Sequence, residues 1–287
     1  MKSNPLVSVL MTSYNREKYI GAAIESVLAS TFENFELIIL DDRSKDETVL
    51  IANTYATKDS RIKVFINEKN AGDYQNRNIA ASHAKGKYLK YIDADDYIYP
   101  WGLEILVKMM EQFPSAGWGL CSLEQDEYKP FPFQLSPREA YEYEYFGPGI
   151  FHKAPLSSII KRNVFESVRG FSGKQHLGDF ELWHLLASDF PLLLMPHGIV
   201  WHRVHAEQQS MENRINPLVP FKYAVSALHF FETATTIPLS ESQIKCIQKK
   251  IRRKLSHLII RRLGKLDITT ARKMYKMIKD PLYNFGN

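Results

Sequence analysis

From Leu6 onward the chain alternates short, almost wholly apolar runs with longer stretches in which apolar residues recur every three or four positions. The runs Leu6–Met11, Phe35–Leu40, Ile62–Ile66 and Lys87–Ile92 are rich in β-branched and aromatic residues and predict strands. Between the first two, Ile20, Ala23, Ile24, Val27 and Leu28 mark one face of a helix. A second helix is expected from about Asp46 to Thr57 and a third around Arg77 and Asn78. A fourth runs from Pro100 to Phe113, with Leu103, Leu106, Val107 and Met110 turned inward. Four strand–helix units in succession predict an α/β fold: a mostly parallel sheet flanked by helices. Right-handed crossovers then bring the strand ends to one rim.

Order is expected to weaken between Cys121 and Tyr145. There Pro130, Pro132 and Pro137 interleave with Phe131, Phe133, Tyr141, Tyr143 and Tyr145. Such a stretch is either a surface loop packed by its own rings or an acceptor platform, since aromatic faces suit sugar rings and other flat or apolar groups. Strands are predicted again at Leu156–Ile160, Leu192–Met195 and Ile199–Val204. A short helix through Val164–Phe165, a turn at Gly170–Phe171 and a helix begun by Asp179 as N-cap lie between them. Beyond them, Ser240–Gln243 has capping-box spacing, and Ile244, Ile247, Ile251, Leu255 and Leu258 follow at helical intervals. The expected organisation is one α/β domain over residues 1–212, with halves of about 5–114 and 115–212, then a helical extension over 213–287.

At 287 residues and 45% apolar content, the chain is long enough for a full core. Cys121 and Cys246 are too few for a disulfide framework, which fits a reducing compartment. No signal-peptide pattern precedes the first strand, and no apolar stretch reaches the ~20 residues that span a bilayer. A cytoplasmic chain is expected. The net charge of +5 is unevenly spread: residues 241–287 hold 13 Lys/Arg against three acids (+10), leaving 24 against 29 (−5) before them. The basic helix there either packs with its charged face in water or lies peripherally on the inner face of an anionic membrane. Nucleic acid is not an expected partner, because no recognition module accompanies the charge.

Asp93, Asp95 and Asp96 fall at the carboxyl end of a predicted strand, where open α/β sheets place their ligands. Like charges this close repel unless a cation or a donor satisfies them. A hard divalent metal that also binds diphosphate oxygens would do so; the bland alternative is a solvated acidic loop. No nearby basic residue is expected to neutralise both Asp93 and Asp95. Tyr14 with Asn15, and Asp41 with Asp42, follow two other strands and would share the same crevice. A dehydrogenase is disfavoured because no G-x-G-x-x-G follows the first strand, and that strand also lacks the glycine-rich basic loop of nucleotidyl transfer.

Taken in order, Val9–Asn15, Ile39–Asp46, Asn70–Gly72 with Arg77–Asn78, Asp93–Asp96, Gly170–Phe171, Asp179 and Arg203–His205 resemble the family 2 glycosyltransferases. These are inverting enzymes with a GT-A fold, and the resemblance runs from about Pro5 to Ser210. It implies that Thr12, Tyr14 and Glu17 line the base and ribose pocket, with Asn15 and Ala94 in the same nucleotide site. Asp41 would accept from the pyrimidine ring, Arg77 would sit near the base or diphosphate, and Asp93 would hold the ribose. Asp95 would ligate Mn2+ or Mg2+ across the diphosphate, with Asp96 open to share it and His205 reaching the metal or the diphosphate. Asp179 would be the general base that takes the acceptor proton. Three positions depart from the family pattern: Thr12 for Pro, Arg43 for Gly, and Gly178 for Glu, which makes Glu181 the alternative base. The function implied is sugar transfer from a nucleoside-diphosphate donor, UDP-linked by expectation, to a glycan or lipid-linked acceptor in cell-surface polysaccharide synthesis. The competing reading is a catalytically inactive sugar-nucleotide-binding scaffold.

Overall fold

Strands β1 (Val7–Ser13) and β2 (Phe35–Asp41) are buried at every position, as strands covered on both faces must be. They belong to an eight-stranded sheet that also contains β3 (Ile62–Ile66), β4 (Tyr88–Tyr91), β6 (Trp118–Leu120), β7 (Phe133–Leu135), β8 (Ser158–Lys161) and β9 (Leu192–Leu194). The order is β3-β2-β1-β4-β8-β6-β9-β7. Strands β3, β2, β1 and β4 are mutually parallel, while β8 runs antiparallel to both β4 and β6, and β7 antiparallel to β9. The register sets Ser13 opposite Asp41 and Leu10 opposite Tyr91, which aligns the carboxyl ends of β1, β2 and β4. Helices α1 (Ile20–Leu28) and α4 (Gly102–Gln112) turn Ile24, Val27, Leu103 and Leu106 into the core formed by Val9, Met11, Leu37 and Ile39.

The computed structural model describes residues 4–174, 177–205 and 216–280. The chain divides into two units, Met1–Arg203 and Val204–Asn287. The expected domain boundary at 212/213 lies outside the described residues.

Three expectations for the first unit change. The stretch expected to be irregular contains β7 and a ten-residue helix, α5 (Pro137–Phe146). Its start was written in the sequence: Ser136 and Glu139 close a capping box around Pro137 at the first helical position. Tyr141 of that helix is fully buried, and its hydroxyl donates to the His184 carbonyl (2.8 Å), so this ring belongs to the core rather than to an exposed platform. The strand expected at Ile199–Val204 shrinks to β10 (Val200–Trp201), paired antiparallel with β5 (Tyr97–Ile98) outside the main sheet. The Arg203 amide donates to the Asp96 carboxylate instead of continuing a ladder. Finally, the helix α7 (Gly178–Asp189) starts one residue earlier, so Asp179 lies in its first turn and is not its N-cap.

In the second unit, α8 (Leu218–Thr233), α9 (Glu241–Leu263) and α10 (Ile268–Lys279) pack on one another. Ser240 and Gln243 form the capping box that their spacing predicted. Ile247, Ile251 and Leu255 are the buried face of α9; Ala271, Met274 and Met277 are that of α10. Among the described residues, no helix is long and apolar enough to cross a membrane.

Candidate active site

The carboxylates after β2 are saturated by neutral donors. Buried Asp41 accepts from the Ser44 amide (2.7 Å), the Ser44 hydroxyl (2.5 Å) and the Ser13 hydroxyl (3.0 Å). Asp42 accepts from the Ala71 amide (2.7 Å), the Gly72 amide (2.9 Å) and Asn67 Nδ2 (2.8 Å), tying the β2 end to the start of α3 (Asp73–Ser82). Gly72 has φ 83°, a left-handed turn open to glycine at little cost, which aims these amides at Asp42. Arg43 has φ 70°, so the glycine that the resemblance leads one to expect there has a backbone reason.

The carboxylates after β4 are held differently. Arg77 is buried on α3, with Nε 3.0 Å from Asp73 Oδ1 and Nη1 2.7 Å from Asp93 Oδ1. Arg16 places Nε 2.9 Å from Asp95 Oδ2. The expectation that no basic residue neutralises the pair is therefore wrong. Each arginine comes from another part of the chain, Arg16 from the loop after β1 and Arg77 from α3, where sequence proximity does not show it. Burial alone would raise the Asp93 pKa, but the Arg77 guanidinium outweighs it and holds the carboxyl below its usual range. The Thr12 hydroxyl reaches the same carboxylate at 3.4 Å.

Asp96 goes the other way. Burial and the neighbouring charges of Asp93 and Asp95 push it up to about 8, against a hydrogen bond from the Arg203 amide (2.9 Å). Arg203 also pins the loop: Nε donates to the Asp95 carbonyl (2.9 Å) and Nη2 to the Tyr97 hydroxyl (2.5 Å), with the guanidinium over the Tyr97 ring at 4.8 Å. Among the described residues, no three His, Cys, Asp or Glu side chains are arranged to hold a metal ion unaided. The donor set is nonetheless hard oxygen, and the raised Asp96 marks a cluster still short of positive charge. A divalent cation completed by diphosphate oxygens fits it.

Asp179 is half-buried, and burial pushes its carboxyl up to about 6. The Phe180 amide (2.7 Å) and the Tyr74 side chain hydrogen-bond to it, and the charges of Arg77 and Asp73 reach it. Helix α3 thus links the prospective base to the rim: Tyr74 touches Asp179, and three residues on Arg77 holds Asp93. Glu181, the alternative base, is engaged by the Ser172 hydroxyl and by Lys174 Nζ (2.7 Å). A Cβ at Gly178 would stand 2.5 Å from the Tyr74 ring, so no glutamate fits there without moving that ring. The Gly170–Phe171 turn is clamped by Asn78, whose amide exchanges two 2.9 Å hydrogen bonds with the Phe171 backbone.

The remaining sites predicted from sequence divide by unit. Ala94 is buried, and its amide donates to the Thr12 carbonyl at 3.3 Å, joining the β1 and β4 ends. Asn15 Oδ1 accepts from the Lys45 amide (2.9 Å), and Glu17 Oε2 from the Glu47 amide (3.0 Å). Tyr14 is exposed beside them. His205 belongs to the second unit, so its role stays as the resemblance implies. Sequence reasoning missed Arg16, Asp73 and Tyr74, and read Asp42 only as part of a pair. The place of Asp73 in the first turn of α3, directly after Gly72, was the one local signal.

The family described as Glycosyl transferase family 2 matches residues 8–169, more than half of the chain. The chain belongs to glycosyltransferase family 2. It is 42% identical over 194 residues to the "Putative glycosyltransferase EpsE" of Bacillus subtilis, covering 64% of this chain and 67% of that protein. Over 105 residues it is 41% identical to an Escherichia coli relative named "UDP-Glc:alpha-D-GlcNAc-diphosphoundecaprenol beta-1,3-glucosyltransferase WfgD" (37% and 41% covered). The first matched relative, an uncharacterized glycosyltransferase of Haemophilus influenzae, is covered over about half its length (52%). Among solved structures, S. aureus TarS in complex with UDP-GlcNAc superposes with a TM-score of 0.64 at 18% identity, covering 85% of this chain and 71% of that one. The mannosyltransferase PcManGT of Pyrobaculum calidifontis, in complex with GDP-Man and Mn2+, gives 0.65 at 15% identity, with 97% and 83% covered. At these identities the likeness establishes the fold, which is GT-A.

Proposed function

We propose that this family 2 chain is an inverting glycosyltransferase. It moves a sugar from a UDP-linked donor to a hydroxyl of a glycan or lipid-linked acceptor, in cytoplasmic steps of cell-surface polysaccharide synthesis. The observation that carries the reading is Asp179, a carboxylate raised to about 6 and joined through Tyr74 and α3 to the acidic rim. A general base works best with a pKa near the operating pH, and a strongly acidic carboxylate would not qualify. The UDP-linked donor draws support from the names of the E. coli relative and the TarS complex.

In this reading Asp179 takes the proton of the acceptor hydroxyl. The acceptor oxygen bonds to the anomeric carbon as the bond from that carbon to the diphosphate oxygen breaks on the opposite face. Thr12, Tyr14, Asn15, Glu17, Asp41 and Ala94 line the nucleoside, and Arg77 keeps Asp93 ionised to accept from the ribose. Asp95, with Asp96 as a further donor, would hold Mn2+ or Mg2+. A bound ion would supply Lewis acidity against the charge developing on the diphosphate.

The test is a screen of nucleotide sugars for nucleotide release with Mn2+ and Mg2+, run beside calorimetry of nucleotide binding. One UDP-sugar should be turned over by the wild type and not by Asp179→Asn, with UDP affinity unchanged. UDP binding with no turnover of any donor and acceptor would replace the proposal by the scaffold reading. Failure to bind any nucleoside diphosphate would end both.

A further inference from the structure

Helix α9 has two faces. Ile247, Ile251 and Leu255 fill the core of the second unit, while Lys249, Arg252, Arg253, Ser256, His257 and Ile260 line an open groove on the opposite side. Toward the α9–α10 turn this outer face changes from basic to apolar. Ile260 is 64% exposed, Leu263 48%, Leu266 85% and Ile268 59%. Four large aliphatic side chains in water on one helical hairpin have no packing role to explain them.

Leu266 is the most informative of them. Its amide bonds to the Leu263 carbonyl (2.9 Å) and the Asp267 amide to the Arg262 carbonyl (3.0 Å), the paired bonds of a Schellman turn. That turn needs a left-handed residue and ordinarily takes glycine; Leu266 adopts φ 58°. The fold therefore accepts backbone strain to put a leucine at the tip, where it touches almost nothing. Around the tip the charge is one-sided. Residues 249–279 contain 12 Lys/Arg and a single acid, Asp267. Arg252 is paired with Glu232 (2.8 Å) and Arg262 lies 3.8 Å from Asp267, but Lys249, Arg253, Arg261 and Lys265 are exposed.

We propose that the α9–α10 hairpin docks on anionic lipid bilayers: Leu263, Leu266 and Ile268 enter the interface, and the basic face of α9 meets the lipid headgroups. Charge complementarity selects this occupant. A second copy of the same hairpin would be repelled, and a polyanion such as nucleic acid would have no use for the aliphatic tip. The two components, charge and buried apolar area, are those by which interfacial helices bind. The proposal concerns the second unit alone and stands whether or not the sugar-transfer reading does.

The experiment is flotation of the full chain with phosphatidylcholine vesicles, with and without phosphatidylglycerol, at low and high salt. Wild type should float only with the anionic vesicles and be released by salt, since the attraction is screened. Leu266→Gly is the critical variant, because glycine suits the left-handed turn and the protein should melt no lower than wild type. Loss of one leucine from the interface should weaken binding by roughly tenfold or more. Lys249→Glu with Arg253→Glu should remove the preference for anionic lipid. No flotation at low salt, or equal flotation of wild type and a folded Leu266→Gly, would overturn the proposal.

Discussion

The acidic residues after β2 and those after β4 reach the same rim of one sheet and meet opposite conditions. Asp41 and Asp42 each accept three hydrogen bonds, all from amides, hydroxyls or a neutral side chain. Asp93 and Asp95 instead each face an arginine, and Asp96 rises to about 8, first through burial and then through the charges of the other two. A carboxylate fully served by neutral dipoles holds loops together at any metal concentration. Carboxylates crowded together and only part-neutralised by arginines retain a demand for positive charge that a ligand can meet. The difference teaches that acidity at a strand end is not itself a mark of cation binding; the marks are the donors it lacks.

The comparison extends to Asp179, whose burial is opposed by few donors, and the largest effect is expected there. Asp179→Asn should lower transfer by about 10²–10⁴-fold, the usual contribution of a positioned base. UDP affinity should not change, and the melting temperature should hold or rise, because a carboxylate raised to about 6 is held against its preference at neutral pH. The sign of the pH effect follows: below about pH 6 the base is protonated, so kcat/KM should fall about tenfold per pH unit there and level off above it. A flat profile between pH 5 and 7 in that ratio would remove Asp179 from the role. Normal transfer by Asp179→Asn with failure of Glu181→Gln would move the role to Glu181.

Stability should separate the two acidic groups next. Asp42→Ala leaves two backbone amides and Asn67 without their acceptor, and should cost about 2–4 kcal/mol in urea unfolding. Asp95→Asn keeps the shape and one acceptor oxygen of a buried side chain while weakening its pair with the partly exposed Arg16, and should cost about 1 kcal/mol or less. Equal costs would erase the distinction drawn between the strand ends.

Much of this architecture was legible before any coordinates. Strands β1 to β4 are runs of four to seven residues, and their apolar, β-branched and aromatic composition located them within a residue or two. Strand β6, Trp118-Gly119-Leu120, was not seen, because a three-residue run with glycine at its centre does not read as a strand, whereas the unbroken leucines of β9 do. Helix α5 was hidden by prolines and aromatic residues that mimic a loop, although its capping box was in plain view. At the candidate site, Asp93 and Asp95 stood out at a strand end and Asp179 at a helix start, both local features, while their roles came from the resemblance. Arg16, Arg77 as the partner of Asp93, and Tyr74 against Gly178 were not read, since each contact joins segments that only the winding of the sheet brings together.

The smallest predicted effect probes that long-range partnership directly. Arg16 is the cation on Asp95 in this structure, so it stands where a divalent ion would compete for the same carboxylate. Replacing it with glutamine should strengthen Mn2+-dependent UDP binding by up to about fivefold, the range of a partly exposed ion pair. Calorimetry with UDP in the presence and absence of Mn2+ reads this without any need for turnover. The pairing is assigned by a double-mutant cycle: in an Asp95→Asn background the Arg16→Gln change should have no further effect on the metal dependence. Should Arg16→Gln instead weaken UDP binding with and without Mn2+, the guanidinium grips the diphosphate itself. The crowded carboxylates would then be balanced for the donor rather than for the ion.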